Sequence, residues 1–154
     1  MNKIINFFLE ILNRSRDVQN FKMVYHTIVI PNIGRVNKNG RIYTMESIEK
    51  MWGEFKNMYG QIDNPTTDNI QLHNISHQIH RTFIHNNDLW AEYSILNNDN
   101  GKGIYDLFKF NIGFLRPMGR GNIIDSVVKD YELISFNFLD TDSFKSSSFI
   151  NINP

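Results

Sequence analysis

Two segments of alternating hydrophobicity, separated by turn-forming residues, constrain the fold of this chain more than any other feature. Apolar and polar residues alternate along Ile70–Ile84 and again along Leu89–Leu96. This period of two is typical of half-buried strands. Asn86-Asn87-Asp88 lies between the segments, and Asn and Asp favour tight turns. The pattern therefore predicts an antiparallel hairpin.

Further strands are predicted on either side of this hairpin. Val24–Ile30 is rich in β-branched residues and stops at Pro31, and Tyr131–Leu139 alternates again. Asn39-Gly40 predicts a tight turn. Because the strands do not alternate with helices in βαβ order, we expect an α+β fold, an antiparallel β-sheet or small barrel with two or three flanking helices.

Two helices and one loop are predicted between these strands. Thr44 can cap a helix that Gly60 would end, with an apolar face formed by Ile48, Trp52 and Phe55. A short helix is predicted around residues 104–108. Gly113–Gly121 holds three glycines and Pro117, which predicts an irregular loop.

The first twenty residues form a separate segment in this prediction. Helical spacing of apolar residues along Ile4–Leu12 indicates an amphipathic helix, and Arg14–Asn20 is a polar linker. The predicted organisation is thus residues 1–20 as helix and linker and residues 21–154 as one domain. No cleavage site follows the helix, and no apolar run approaches the ~18 residues that span a bilayer. We therefore expect no membrane partner.

Composition excludes several classes of function. The chain has 16 Lys and Arg against 16 Asp and Glu, so its formal net charge is zero and no nucleic-acid partner is expected. The absence of Cys excludes disulfides, thiolate zinc sites and a Cys nucleophile. A cytoplasm that keeps thiols reduced is the expected compartment.

Four histidines at positions 73, 77, 80 and 85 raise the question of a metal site. On a strand, His73 and His77 would share a face about 13 Å apart, too far for one ion. No carboxylate lies among the four. Arg116 and Arg120 in the glycine-rich segment could serve an anion, but the Lys-Ser/Thr ending of a phosphate loop is missing. We predict no metal and no cofactor.

Several motifs in order resemble those of the prohead core proteases of tailed bacteriophages. They are Val36–Tyr43 (VNKNGRIY), Gly60–Pro65 (GQIDNP), Asn74–Ile79 (NISHQI) with Leu89–Glu92 (LWAE), Gly113–Gly121, Asp130–Phe136 (DYELISF) and Asp142–Phe144 (DSF). The resemblance runs from about Val36 to Ile152. It implies a fold related to herpesvirus assemblin, with a Ser nucleophile and a His base.

The residues that the resemblance would make catalytic are replaced in this chain. Asn64 stands at the position of the motif His, and Leu115 and Arg116 stand at the Ser pair, while His77 is kept. Asn cannot accept a proton from a hydroxyl near neutral pH, and Leu and Arg cannot form an acyl-enzyme. Residues 97–125 contain no Ser, Thr or Cys, so a shifted alignment restores no nucleophile. These four positions are predicted to be vestigial, and the chain is predicted not to be an enzyme.

A catalytically degenerate member of this family would serve as a virion structural protein, a capsid auxiliary, decoration or other head-associated protein. The partners implied are the major capsid protein or other head proteins, contacted by multiple copies of this chain. The implied location is the phage head, and the host cytoplasm during assembly.

Two other interpretations remain open at this point. The chain could be a diverged, active prohead serine protease that processes capsid and scaffold proteins, with Ser76 beside His77, or Ser126, as nucleophile. Adjacent residues on a regular strand point to opposite faces, which argues against pairing Ser76 with His77. The third interpretation is an unrelated small host protein with chance motif matches.

Overall fold

The structure is a computed structural model, which describes residues 23–53, 57–62, 72–109, 114–139 and 149–151. The predicted helix Ile4–Leu12 and its linker lie outside these ranges, as does Asn64. The proposed boundary after residue 20 therefore stays a prediction. The described chain forms two β-sheets with two flanking helices, which confirms the predicted α+β fold.

The first sheet contains four antiparallel strands. They are β1 (Tyr25–Ile30), β2 (Met58–Gln61), β3 (Ile75–His85) and β4 (Asp88–Ile95), and their spatial order is β1-β4-β3-β2. The predicted hairpin forms the centre of this sheet as β3 and β4.

The turn of the hairpin is made by Asn86 and Asn87, whose φ angles are 49° and 64°. Such left-handed residues match the twist of the flanking strands in a two-residue turn. The start of β3 differs from the prediction, because Leu72–Asn74 forms a single 3-10 turn and the strand begins at Ile75. His73 therefore lies in a turn and not on a strand.

The second sheet contains three strands, β5 (Phe114–Ile124), β6 (Val127–Leu139) and β7 (Phe149–Asn151). Their order is β6-β5-β7, with β5 antiparallel to β6 and parallel to β7. The prediction of an irregular loop over Gly113–Gly121 is therefore wrong, because the described part of that segment is strand.

Two of the glycines in that segment allow strands to approach closely. A Cβ at Gly119 would lie 2.5 Å from the Tyr131 ring, and one at Gly121 would lie 2.8 Å from the carbonyl oxygen of Lys129. The register between β5 and β6 also shifts twice near these glycines. Glycine in a strand commonly marks such a bulge or close approach.

The first helix, α1, spans Met45–Gly53 and begins as predicted. The Ser47 amide donates a hydrogen bond of 3.1 Å to Thr44 Oγ1, so Thr44 is the N-cap. The helix ends at Gly53, whereas Gly60, the predicted terminator, lies within β2.

The second helix, α2, spans Asp99–Lys109 and starts earlier than predicted. Asn98 Oδ1 accepts a hydrogen bond of 2.8 Å from the Gly101 amide. Asn98 is thus the N-cap, because amides in the first turn of a helix have no partner within the helix. The first five residues of this helix include two glycines, Gly101 and Gly103, which lower its intrinsic helix propensity. Neither α1 nor α2, the helices of the described chain, is long and apolar enough to cross a membrane.

One core joins the sheets and helices. Helix α1 packs against β6 and α2 against β3, while β2 and β6 bring the two sheets together. Large side chains that are almost completely buried in this core are Val29, Ile48, Ile79, Leu89, Ile104, Leu115, Val128, Phe136 and Phe138.

Candidate functional site

One polar pair buried in the core is Ser76 with His77. In β3, His77 pairs with Gly60 and Ile75 pairs with Gln61, which leaves Ser76 as the extra residue of a β-bulge. Ser76 Oγ lies 2.8 Å from His77 Nδ1. The prediction that these side chains cannot easily pair is wrong, because the bulge breaks the strict alternation of a regular strand.

A third group, the carbonyl oxygen of Phe136, determines which atoms of this pair carry hydrogens. His77 Nε2 lies 2.8 Å from the carbonyl oxygen of Phe136 on β6. A carbonyl only accepts, so Nε2 carries the hydrogen and Nδ1 of the neutral ring accepts. The Ser76 hydroxyl therefore donates to Nδ1. A serine nucleophile and its histidine base have this arrangement of donor and acceptor. Here a main-chain carbonyl orients the ring.

Burial limits the chemistry of this pair. Ser76 and His77 are both 0% exposed. Burial lowers the pKa of His77 to about 4, although the hydrogen bond to Phe136 opposes this shift. The ring is therefore neutral and weakly basic at pH 7. A peptide reaches Ser76 Oγ only after the surrounding chain moves aside, and in this conformation His77 links the two sheets.

Gly60 makes room for that link. A Cβ at this position would overlap both His77 Nε2 and the carbonyl oxygen of Phe136. The hydrogen bond between the sheets therefore passes directly over the glycine backbone, and any larger residue would collide with it. The role of Gly60 is this close approach and not the helix ending that its position in the sequence indicated.

Leu115 and Arg116 lie next to each other on β5 but in different environments. Leu115 is 1% exposed and belongs to the core. Arg116 Nη1 donates to the carbonyl oxygens of Leu115 at 3.1 Å and Ile28 at 3.3 Å. With Asn64 outside the described residues, the vestigial role of Asn64, Leu115, Arg116 and His77 stays a prediction.

Ser126, the other serine considered as a nucleophile, is exposed at the turn between β5 and β6. Its φ angle is 67°, and its carbonyl oxygen accepts a hydrogen bond of 2.8 Å from the Ile42 amide. This bond, together with the pairing of Ile42 with Val127, fixes the turn against the chain before α1.

A second buried polar group lies on the first sheet and was missed by the sequence prediction. Glu92 Oε2 accepts from His26 Nε2 at 3.0 Å and from Arg81 Nε at 3.1 Å. Burial raises the pKa of Glu92, but the hydrogen bond from His26 and the charge and hydrogen bond of Arg81 together outweigh burial and lower it. Cross-strand register reveals this group, since both His26 and Arg81 pair with Glu92.

A second Ser–His contact lies beside this group. The register between β3 and β4 shifts between Ile79 and Arg81, which leaves His80 as an extra residue. His80 Nε2 lies 2.9 Å from Ser94 Oγ. Burial lowers the pKa of His80, and the charge of Glu92 opposes that shift. The contact between Ser94 and His80 was likewise not predicted, because a bulge leaves no mark in the alternation pattern.

The histidines of positions 73 to 85 do not converge. His73 lies in the 3-10 turn, His77 in the core and His80 against Ser94. Among the residues that the structure describes, no three His, Asp or Glu side chains form a group that could hold a metal ion.

Comparison with known proteins identifies the fold. No family model matches the chain, and no curated protein matches its sequence. The two sheets and two helices of the described residues form an α+β fold similar to that of a solved capsid protease. That structure is the capsid assembly protease gp21 of bacteriophage T4, with a TM-score of 0.66, 17% sequence identity, and coverage of 75% of this chain and 80% of that chain.

This match confirms one prediction and contradicts another. The expected prohead-protease-like fold is confirmed. The prediction that the chain is not an enzyme is contradicted, because a solved structure with a similar fold is a protease. At 17% identity the likeness concerns the fold, so it assigns no catalytic residue.

Proposed function

We propose that this chain acts in the assembly of a tailed-bacteriophage head. The observation that supports this is the shared fold with a capsid assembly protease over three quarters of the chain. In this proposal the chain is present in the phage head, and in the host cytoplasm during assembly. It contacts the major capsid protein or other head proteins in multiple copies, and its zero net charge keeps repulsion between copies small.

Mass spectrometry of purified particles tests this proposal. We expect peptides from residues 72–109 and 114–139 in proheads or mature virions, at many copies per particle. A phage enzyme of DNA metabolism, measured in the same preparations, serves as the control for contamination. If this chain is as scarce in both particle types as that control, it is not a head-assembly protein.

A second candidate function is peptide hydrolysis by Ser76, favoured by its hydrogen bond to His77. In this reaction Ser76 Oγ attacks the peptide carbonyl carbon while its proton moves to His77 Nδ1. The tetrahedral intermediate collapses, the C–N bond breaks, and the same proton passes to the leaving amine. Water then releases the acyl group. The carbonyl oxygen of Phe136 holds Nε2–H throughout and so keeps the ring oriented.

Labelling with a serine-reactive fluorophosphonate, together with cleavage of purified scaffold and capsid protein, tests this second function. We expect stoichiometric labelling of Ser76, and a loss of at least about a thousandfold in cleavage rate in Ser76→Ala. Ser126→Ala, which changes an exposed serine at a turn, is the matched control and keeps full activity. Circular dichroism shows that each variant is folded.

Two outcomes would contradict the role of Ser76. One is cleavage that persists in folded Ser76→Ala. The other is labelling that is lost in Ser94→Ala and kept in Ser76→Ala, which assigns the nucleophile to Ser94 beside His80. Neither result bears on whether the chain is present in phage particles, so the two proposals are tested separately.

A further inference from the structure

We propose that two copies of this chain associate through a row of apolar side chains on the outer surface of the fold. The row lies where the chain before α1 meets the turn between β5 and β6. Its four members are β-branched, and in spatial order they are Val36, Ile42, Val127 and Ile124. We call this row the apolar strip. It shares no residue with the Ser76–His77 pair and does not depend on the proposed function.

Strand pairing places the four side chains of the apolar strip side by side. The three pairings are Val36 with Ile42, Ile42 with Val127, and Val127 with Ile124. Paired residues project from the same face of a sheet, and neighbouring strands lie about 4.8 Å apart, so the row is about 14 Å long. The residue after each inner member, Tyr43 or Val128, lies in the core. Because successive side chains alternate between faces, the apolar strip faces outward.

The two ends of the apolar strip are its most exposed parts. Val36 is 64% exposed and Ile124 is 57% exposed, while Ile42 and Val127 between them are partly exposed. Met45, the first residue of α1, is 38% exposed and adds apolar surface near Ile42 in the sequence. Single apolar residues are normal on a protein surface, whereas contiguous exposed ones mark a site of interaction. The apolar strip is therefore suited to a protein partner.

Hydrogen bonds fix the apolar strip before any partner binds. The Ile42 amide donates to the carbonyl oxygen of Ser126 at 2.8 Å, and the Val128 amide donates to the carbonyl oxygen of Ile42 at 2.9 Å. Ser47 Oγ, in the first turn of α1, donates to the carbonyl oxygen of Val128 at 2.7 Å. The strip and the start of α1 thus form one fixed surface, which loses little conformational entropy on binding.

The partner that fits the apolar strip is a second copy of this chain. In a dimer with a two-fold axis, the same patch on both copies forms the contact, so that patch must complement itself. An axis parallel to the strands places Ile42 against the partner's Val127 and Val36 against the partner's Ile124. Each apolar side chain of the strip then meets another of similar size. The zero net charge of the chain adds no general repulsion between copies.

Charged residues beside the apolar strip favour this arrangement of the two copies. Lys129 lies two residues after Val127 and on the same face of β6. Glu46, in the first turn of α1, follows Thr44, which occupies the matching position two residues after Ile42. Both charged residues are exposed, and neither has an ion-pair partner among the described residues. The axis that brings Ile42 to the partner's Val127 therefore brings Glu46 opposite the partner's Lys129, and this contact occurs twice in the dimer.

Sedimentation velocity at protein concentrations from about 5 to 500 μM tests the association. We expect the mass to rise from monomer toward dimer in the upper part of this range, because the apolar strip is smaller than the ~800 Å² that each partner buries in a standard interface. Val36→Asp puts a charge into the contact and should weaken dimerisation at least about tenfold. Met23→Asp is the matched control, since Met23 is 59% exposed and lies outside the strip. It should change dimerisation less than about twofold, and circular dichroism shows that each variant is folded.

A charge exchange tests the orientation of the two copies. Lys129→Glu and Glu46→Lys each place like charges opposite one another, so each variant alone should dimerise at least about fivefold more weakly. In an equal mixture of the two variants, each heterodimer regains opposite charges at both contacts, and dimerisation should return to about that of the unchanged protein. A mixture that dimerises no better than either variant alone would overturn the proposed arrangement. An unchanged protein that stays monomeric at about 500 μM, or equal losses in Val36→Asp and Met23→Asp, would overturn the association itself.

Discussion

Gly60→Ala is expected to destabilise the protein by more than about 4 kcal/mol, a large part of the stability of an ordinary domain. The new methyl group would overlap the atoms that join His77 to Phe136, and both residues are completely buried. Relief requires that this hydrogen bond break inside the core. Two buried polar groups then lose their partner, which adds a further 1–3 kcal/mol for each group as a rough guide. Urea denaturation of the purified variant measures the effect.

Gly103→Ala is the matched control for this substitution. A Cβ at Gly103 would lie 3.1 Å from Ile62 Cδ1, the end of a flexible side chain, and the residue lies in α2. Because alanine favours a helix over glycine by about 1 kcal/mol, we expect this variant to be unchanged or slightly stabilised. The described path of the hydrogen bond from His77 to Phe136 over Gly60 would be contradicted if Gly60→Ala changed the free energy of unfolding by less than about 1 kcal/mol.

Acid is expected to destabilise the protein between about pH 6.5 and pH 4, by about 3 kcal/mol. Burial lowers the pKa of His77 to about 4 in the folded state, whereas the unfolded chain keeps the ordinary value of 6.5. In this window the unfolded state binds a proton that the folded state does not. The free energy of unfolding therefore falls as the pH falls. Urea denaturation at half-unit pH steps measures the slope.

His77→Gln tests whether this slope belongs to His77. Glutamine can donate and accept but does not titrate, so most of the pH dependence above pH 4.5 should disappear. His80, whose pKa burial also lowers, leaves a small remainder of the same sign. Glu92 has a lowered pKa and so affects stability only below about pH 4.5. An unchanged slope in His77→Gln would show that another group causes it.

The elements with local signals could be predicted from the sequence. The β3–β4 hairpin has both an alternating pattern and a turn of two asparagines. Thr44 immediately precedes its helix in the sequence, and its hydroxyl caps the helix by accepting from the Ser47 amide. Gly113–Gly121 misled the prediction because glycine serves both loops and bulged strands. What decides between them is the approach of β6, a separate strand that lies outside this segment.

The candidate site could be predicted only in part. His77 was identified as a residue of interest, but its bond to Ser76 depends on a bulge, and its bond to Phe136 joins residues 59 positions apart. Neither contact follows from a pattern in one segment. Glu92 illustrates the same limit, because its partners come from two different strands and become apparent only once the register of both is known.

The two-residue turn at Asn86 and Asn87 also has a consequence for the order of folding. Hairpins of this kind form in about 1–10 μs, because closing them fixes few residues. Strand β1, by contrast, reaches β4 only by closing a loop in which His26 and Glu92 are 66 residues apart. We therefore expect the β3–β4 hairpin to form early, and β1 and β2 to add to it from opposite sides. Substitutions in this hairpin should then slow folding more than they speed unfolding.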